Sequence, residues 1–265
     1  MFATDFIFDG QRASDYDLVI CSFDGEYQTA TGGEAEFEVV KPPDSDKYTF
    51  YGAQYNTPLE WIFSIMKNPC VHKNDSGTHI FSKEEERMIC KWLEKRDGYH
   101  WFNFCQDENE DDVLYNVQIK ATPHQINGKT VGFDLTVISN SAFGYTRIQK
   151  KKATINKEKP LILYIDNDTS DYILPEVKIT GSGDFYISND SDLSKNITLG
   201  KAPEFINVKN NVYMDSENGI MEGVNPNEFN WHFLRLVDGK NSISTNSITD
   251  LIIEILYREV RRVIS

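Results

Sequence analysis

The sequence predicts a mainly β protein in two units: an N-terminal β-sandwich or split-barrel-like domain with one α-helix and a β-hairpin, then a C-terminal antiparallel β-sandwich. Three observations predict it. Aromatic residues are 12% of the 265, with 16 Phe and 13 Tyr, and such rings suit a pleated, half-buried surface. Short apolar alternations are punctuated by Asp-Gly and Asn-Gly pairs, where glycine accepts positive φ. One segment alone carries a capped helical stripe.

The first strands are Phe6-Ile7-Phe8, running into Asp9-Gly10, and Leu18–Phe23, running into Asp24-Gly25. Phe37 and Val39 alternate with Glu36 and Glu38, which predicts a strand with one wet face. Leu59, Trp61, Phe63 and Ile65 alternate over a longer stretch. The helix opens on Ser82 with Glu85 three residues on, a capping box in which each side chain satisfies an otherwise unpaired amide. Met88, Ile89, Trp92 and Leu93 form its apolar stripe, and Lys83, Arg87, Lys91 and Lys95 are left for solvent. Asp97-Gly98 is the expected stop.

Strands resume at Tyr99–Cys105 and Val113–Ile119, joined by the acidic run Asp107-Glu108-Asn109-Glu110-Asp111-Asp112. A hairpin follows with Asn127-Gly128 at its tip and Val131, Phe133, Leu135 and Val137 on one face. The first domain is expected over residues 1–148. Residues 149–160 hold five lysines and almost no apolar side chain, and read as an exposed linker that trypsin reaches first. Residues 161–265 then show short strands at close intervals, the mark of an antiparallel sandwich. Pro175 confines its strand to an edge or to a start at the proline.

Composition excludes several function classes. The net charge of −14 disfavours specific nucleic-acid binding, which needs Lys and Arg against phosphates, and also an anionic membrane. No segment is apolar for long enough to span a bilayer, and the start lacks the basic and apolar regions of a secretory signal. Cys21, Cys70, Cys90 and Cys105 lack CxxC spacing and read as reduced core residues. The sequons at Asn74, Asn167, Asn189 and Asn196 then read as chance matches.

No motif for catalysis, cofactor or metal emerges. The five histidines, His72, His79, His100, His124 and His232, make no HExxH or HxH. Cys70, His72, His79 and Cys90 match no zinc spacing. The acidic run fails as a calcium loop, since its sixth and twelfth places hold Asp112 and Gln118 rather than Gly and Glu. Asp166-Asn167-Asp168 and Asp190-Ser191-Asp192 fail similarly. There is no GxSxG, P-loop or GxGxxG, and Gly181-Ser182-Gly183 reads as a turn. Among 41 acidic residues nothing selects one carboxylate pair for glycosidase chemistry. Asn230–Arg235 offers Trp231 as a sugar-stacking ring, or as a core aromatic on a strand with Phe233; the second reading is the simpler.

The order of these features resembles the siphophage distal tail protein family. The resemblance is carried by the opening Phe-Asp-Gly, Cys21-Ser22-Phe23-Asp24-Gly25, the acidic helix start with Lys91-Trp92-Leu93, and Gly98-Tyr99-His100-Trp101-Phe102. Gly132-Phe133-Asp134-Leu135-Thr136 with Ser141-Ala142-Phe143-Gly144-Tyr145, then Leu174–Asp184 and Leu236–Asn241, continue it across nearly the whole chain. It implies a galectin-like C-terminal sandwich and a virion structural protein at the tail tip, assembled in the host cytoplasm. It also implies a homo-oligomeric ring, usually a hexamer, that joins the tail tube protein to the tail hub and stands near tape-measure and receptor-binding proteins. It carries over no catalytic residue, no cofactor and no complete sugar-binding set. With a ring as frame, Asp107, Glu108, Glu110, Asp111 and Asp112 become candidate lumen-facing residues, their charge keeping passing DNA from sticking. A carbohydrate-binding module and a cell-wall hydrolase are the alternative functions.

Overall fold

The computed structural model describes residues 3–23, 30–71, 79–106, 109–110, 113–169, 171–181, 183–192, 204–208, 211–224 and 231–263. The chain divides into two compact units, Met1–Tyr145 with Arg262–Ser265, and Thr146–Arg261. Both are built almost wholly of antiparallel strands.

In the first unit β1 (Asp5–Phe8) turns at Asp9-Gly10 into β2 (Gln11–Arg12), with φ of 52° and 74° at the two turn residues. Positive φ at both places is the two-residue hairpin turn whose twist matches its strands. A 3-10 turn over Ala13–Tyr16 leads to β3 (Leu18–Cys21). Next come β4 (Glu36–Val40), β5 (Thr49–Gln54) and β6 (Glu60–Lys67), then α1 (Lys83–Leu93). After the helix run β7 (His100–Gln106), β8 (Asn109–Glu110), β9 (Tyr115–Ile126), β10 (Lys129–Ser139) and β11 (Gly144–Tyr145). The principal sheet has the order β2-β1-β7-β9-β10-β6-β3, with β8 against β7. It curls until its ends meet, the Ile20 amide donating to the Thr4 carbonyl at 3.1 Å.

The curled sheet encloses Phe6, Phe63, Phe102, Phe104, Phe133 and Leu135, and α1 lays Ile89, Trp92 and Leu93 against them. The Ser82–Glu85 capping box forms as its spacing predicts: Ser82 Oγ accepts from the Glu85 amide at 3.2 Å, and Glu85 Oε2 from the Ser82 amide at 2.7 Å. Two expectations for the helix fail. Met88 is 52% exposed, because the stripe the sheet receives is narrower than the apolar run. The helix ends at Leu93, where Glu94 donates its amide to the Cys90 carbonyl, and Gly98 serves the later turn into β7 with φ +132°. The Asn127-Gly128 tip forms with φ of 52° and 73°. A bulge between Thr130 and Gly132 then turns Thr130 inward and leaves Val131 half-buried.

The second unit comprises β12 (Gln149–Ile155), β13 (Leu161–Ile165), β14 (Glu176–Thr180), β15 (Gly183–Asn189), β16 (Glu204–Val208), β17 (Asn211–Asp215), β18 (Ile220–Glu222), β19 (Gly239–Thr245), β20 (Leu251–Tyr257) and β21 (Val260–Arg261). A five-stranded sheet, β12-β20-β14-β17-β18, faces a four-stranded one, β13-β19-β15-β16. Ile155, Val177, Ile179, Met214, Leu251 and Ile253 from the first meet Leu163, Ile165, Ile187 and Ile243 from the second. β14 starts immediately after Pro175, where a residue without an amide proton is tolerated.

The expected linker is a correction. Gln149–Ile155 is strand β12, paired with β20 over seven consecutive residues, and Asn156–Lys159 is a tight turn closed onto the Asn156 side chain. Only Ile155 turns fully into the core, so the lysines left no apolar signature. An edge strand needs backbone pairing rather than apolar faces, and exposed lysines on an edge deter further strand addition. Trypsin should therefore cut late at Lys150, Lys151 and Lys152, a result that limited digestion with mass mapping reads directly. Early cleavage there would mean that β12 is detached in solution.

Candidate functional site

Of the acidic run, only Asn109 and Glu110 fall within the described residues, as β8 against Gln106 and Cys105 of β7. Asp107, Glu108, Asp111 and Asp112 lie outside them, as does His72 of the imagined zinc set. Of the rest of that set, Cys70 is exposed and Cys90 half-buried, so the reading of all four cysteines as core residues holds only for Cys105. Among the described residues no three metal-ligating side chains converge.

The two Asp-rich turns are structural. Asn167 donates from Nδ2 to the carbonyls of Thr169 and Asp171 and accepts the Val260 amide on Oδ1 at 2.8 Å, pinning its loop to β21. Asp192 is buried and held by Arg235, whose guanidinium also lies 3.9 Å from the centre of the Tyr172 ring. Asp134 gathers Ser64 Oγ at 2.6 Å and His124 Nδ1 at 3.0 Å. The carboxylate stands in the middle of that trio, so the histidine does not bridge to the hydroxyl as hydrolytic activation requires. Beside it, burial and then the Asp134 charge push the Cys21 thiol up to about 11, which keeps it protonated and unreactive at neutral pH.

Residues 231–235 form no strand, against expectation, and only Leu236 bridges, to Ile173. Leu234 and Leu236 are buried while Trp231 is 63% exposed with φ +59°. The core reading of Trp231 is thus overturned: the chain turns at Trp231, and the leucines take the interior places.

A charged cluster ties the β1–β2 turn to the end of α1. Lys95 Nζ lies 2.8 Å from Asp9 Oδ2, and His100 bridges Asp9 at 3.1 Å and Asp97 at 2.9 Å. The hydrogen bond from Lys95 holds Asp9 below the usual carboxylate range, and the one from His100 does the same for Asp97. Depressed carboxylates contribute stability above their unfolded values, near 4, and lose it as pH falls through the lower folded values. Asp9→Asn should therefore shift the urea midpoint at pH 6 and lose that difference toward pH 2. A difference that persists at pH 2 would mean the effect is not electrostatic.

The feature that sequence reasoning missed is the arm formed by β4 and β5. Among the described residues its strands pair only with each other, and every residue of β4 is exposed. Phe37 is 67% exposed, Tyr48 67%, Phe50 60% and Val39 50%. Register places Val39 opposite Phe50 and Phe37 opposite Ala53, and the Phe37 and Phe50 rings stand 5.9 Å apart on one face. Tyr48, with Lys41 Nζ 6.0 Å from its ring, continues the row. The opposite face carries Glu36 and Glu38, bonded to Asn56 and Gln54. The base of the arm is fixed. Thr31 and Glu60 exchange backbone hydrogen bonds at 2.8 Å, and the Gly33 amide donates to Thr57. Gly32, at φ +84°, packs so closely that a Cβ would lie 2.1 Å from the Pro58 carbonyl oxygen.

These features define a two-unit β protein in which the described polar clusters hold turns and loops in place and the β4–β5 hairpin exposes a row of apolar side chains. The sequence matches the family described as Phage tail protein N-terminal domain over residues 1–141 and that described as Phage tail C-terminal domain over residues 143–257, and the chain belongs to this phage tail protein family. The fold is similar to that of SPP1 Dit (gp 19.1), described as a paradigm of the hub adsorption apparatus in phages infecting Gram-positive hosts. That likeness has a TM-score of 0.59 and 10% identity, and covers 96% of this chain and 98% of that one. A chain of the phage p2 baseplate in its activated conformation with Sr aligns over 95% of this chain and 97% of its own, at TM-score 0.44 and 9% identity. No curated protein sequence matches.

Proposed function

We propose that the chain is a non-enzymatic ring component of a phage tail tip, joining the tail tube to the hub that carries host-recognition proteins. The observation that carries this reading is the membership of both halves in a phage tail family, in an order that superposes on SPP1 Dit along nearly its full length. Copies of the first unit close the ring, usually of six. Antibody against the purified chain should label the distal tip of intact particles; label along the tail or on the head contradicts the reading.

Within such a ring the acidic run Asp107–Asp112 lines the lumen. Its support is charge: at −14 per copy, summed around a ring, a wall of this kind repels duplex DNA and keeps water between them. Replacing Asp107, Glu108, Glu110, Asp111 and Asp112 by their amides should leave assembly intact and raise retention of duplex DNA at low salt. Unchanged retention by the assembled ring would place the run elsewhere.

A further inference from the structure

We propose that Asn127, at the tip of the β9–β10 hairpin, is a site of spontaneous deamidation, and that the chain's other Asn-Gly pair, Asn218-Gly219, is protected from the same reaction by Asp215. The inference rests on the two turns alone and is independent of the ring reading.

The chemistry needs only water. The Gly128 amide nitrogen, having given its proton to hydroxide, attacks Asn127 Cγ. The new C–N bond closes a succinimide ring, and the side-chain nitrogen leaves as ammonia with a proton taken from water. Water then opens the ring at either carbonyl, which leaves aspartate or isoaspartate. A glycine at the second place favours the attack, because it has no Cβ to shield the nitrogen.

The same dipeptide occurs twice, and the two turns treat it differently. Asn127, Gly128 and their neighbours Ile126 and Lys129 are all exposed. A Cβ built at Gly128 would meet nothing within 4 Å, so the space around its nitrogen is open. Among the described residues no hydrogen bond holds the Asn127 side chain or the Gly128 amide. The reaction requires Asn127 to leave its left-handed conformation so that Cγ can reach the Gly128 nitrogen. Hairpin tips open at little cost, so this barrier is low. Asn218 is equally exposed but tied down. Its Nδ2 donates to Asp215 Oδ2 at 2.7 Å, and its backbone amide to Asp215 Oδ1 at 3.0 Å. Asp215 is itself buried, and its Oδ1 also accepts the Glu217 amide at 3.1 Å. Swinging the Asn218 carboxamide onto the Gly219 nitrogen therefore breaks a charge-assisted bond before any bond is made.

The consequence at Asn127 is local. Aspartate adds one negative charge to the tip. Isoaspartate also inserts a carbon into a two-residue turn whose geometry sets the register of its strands. The last pairs, Lys129 with Ile126 and Thr130 with Gln125, lose that register. The loosening stops at Thr130, whose carbonyl accepts the Phe81 amide at 2.9 Å and whose side chain is buried.

The test is peptide mapping by mass spectrometry of the purified full chain, aged in warm, mildly alkaline buffer, with isoaspartate scored separately. The peptide with Asn127 should convert at least about tenfold faster than the one with Asn218, which corresponds to only about 1.4 kcal/mol of protection by the Asp215 bonds. In urea the two rates should converge. The aged chain should show faster amide exchange over residues 125–129 and unchanged exchange at Phe81. Equal rates in the folded chain, or faster conversion at Asn218, overturn the inference. A difference that persists undiminished in urea also overturns it, since it would then belong to the neighbouring residues rather than to Asp215.

Discussion

Trp92→Ala should destabilise the first unit by about 3–5 kcal/mol, the usual loss for a buried large aromatic. Trp92 is 5% exposed and holds α1 to the sheet at several points. Its ring stacks on Tyr16 at 4.6 Å and on Phe6 at 5.7 Å, and meets Phe8 edge-on at 6.4 Å. Its Nε1–H donates to the Phe8 carbonyl at 3.3 Å. Truncation therefore removes packing against β1 and the 3-10 turn together, and with it the hydrogen bond to Phe8. For a unit of this size the unfolding midpoint should fall by roughly 10–15 °C. Met88→Ala on the same helix is the control: the side chain is 52% exposed, and its loss should stay near or below about 0.5 kcal/mol. A Trp92 loss below about 1 kcal/mol would mean that the helix is not packed on the sheet in solution.

Asn241→Leu should have the largest effect in the second unit, about 3 kcal/mol, because it strands several buried partners at once. Asn241 is fully buried on β19. Its Oδ1 accepts from the Val237 amide at 2.8 Å and from Asn189 Nδ2 at 2.7 Å, and its Nδ2 donates to the carbonyls of Val237 and Gly239. Asn189 in turn donates to the Arg235 carbonyl at 2.8 Å. The pair thus anchors the non-strand segment that delivers Leu234 and Leu236 to the core. Leucine is of similar size, so the loss reports hydrogen bonding rather than a cavity. Thermal or urea unfolding of the full chain should show it in the second unit's transition. A change under about 0.5 kcal/mol would mean that water replaces the network.

The parts of the fold legible in the sequence are those where a local rule decides alone. Asp9-Gly10 and Asn127-Gly128 turn because their φ values are positive, and Ser82 caps because Glu85 lies three residues on. The parts that were not legible depend on pairing. β12 hides behind its lysines because a strand can be held by its backbone to β20 with hardly any apolar face. Trp231 reads as a core residue because composition does not tell which aromatic in a run points inward; Leu234 and Leu236 do. The arm shows a third limit. Phe37 and Val39 alternate with Glu36 and Glu38 as an amphipathic strand should, and Tyr48 and Phe50 answer them across the hairpin. The alternation announces an apolar face but does not say whether the same chain covers it. The available signal was an apolar hairpin with Pro42-Pro43 between its strands.

The measurement that tests the account most directly is a cryo-electron microscopy map of the intact tail, with this chain fitted at its distal end. The account predicts a closed ring of identical copies between tube and hub. A tail tip in which the chain is absent, or is present without forming a closed ring, would contradict it.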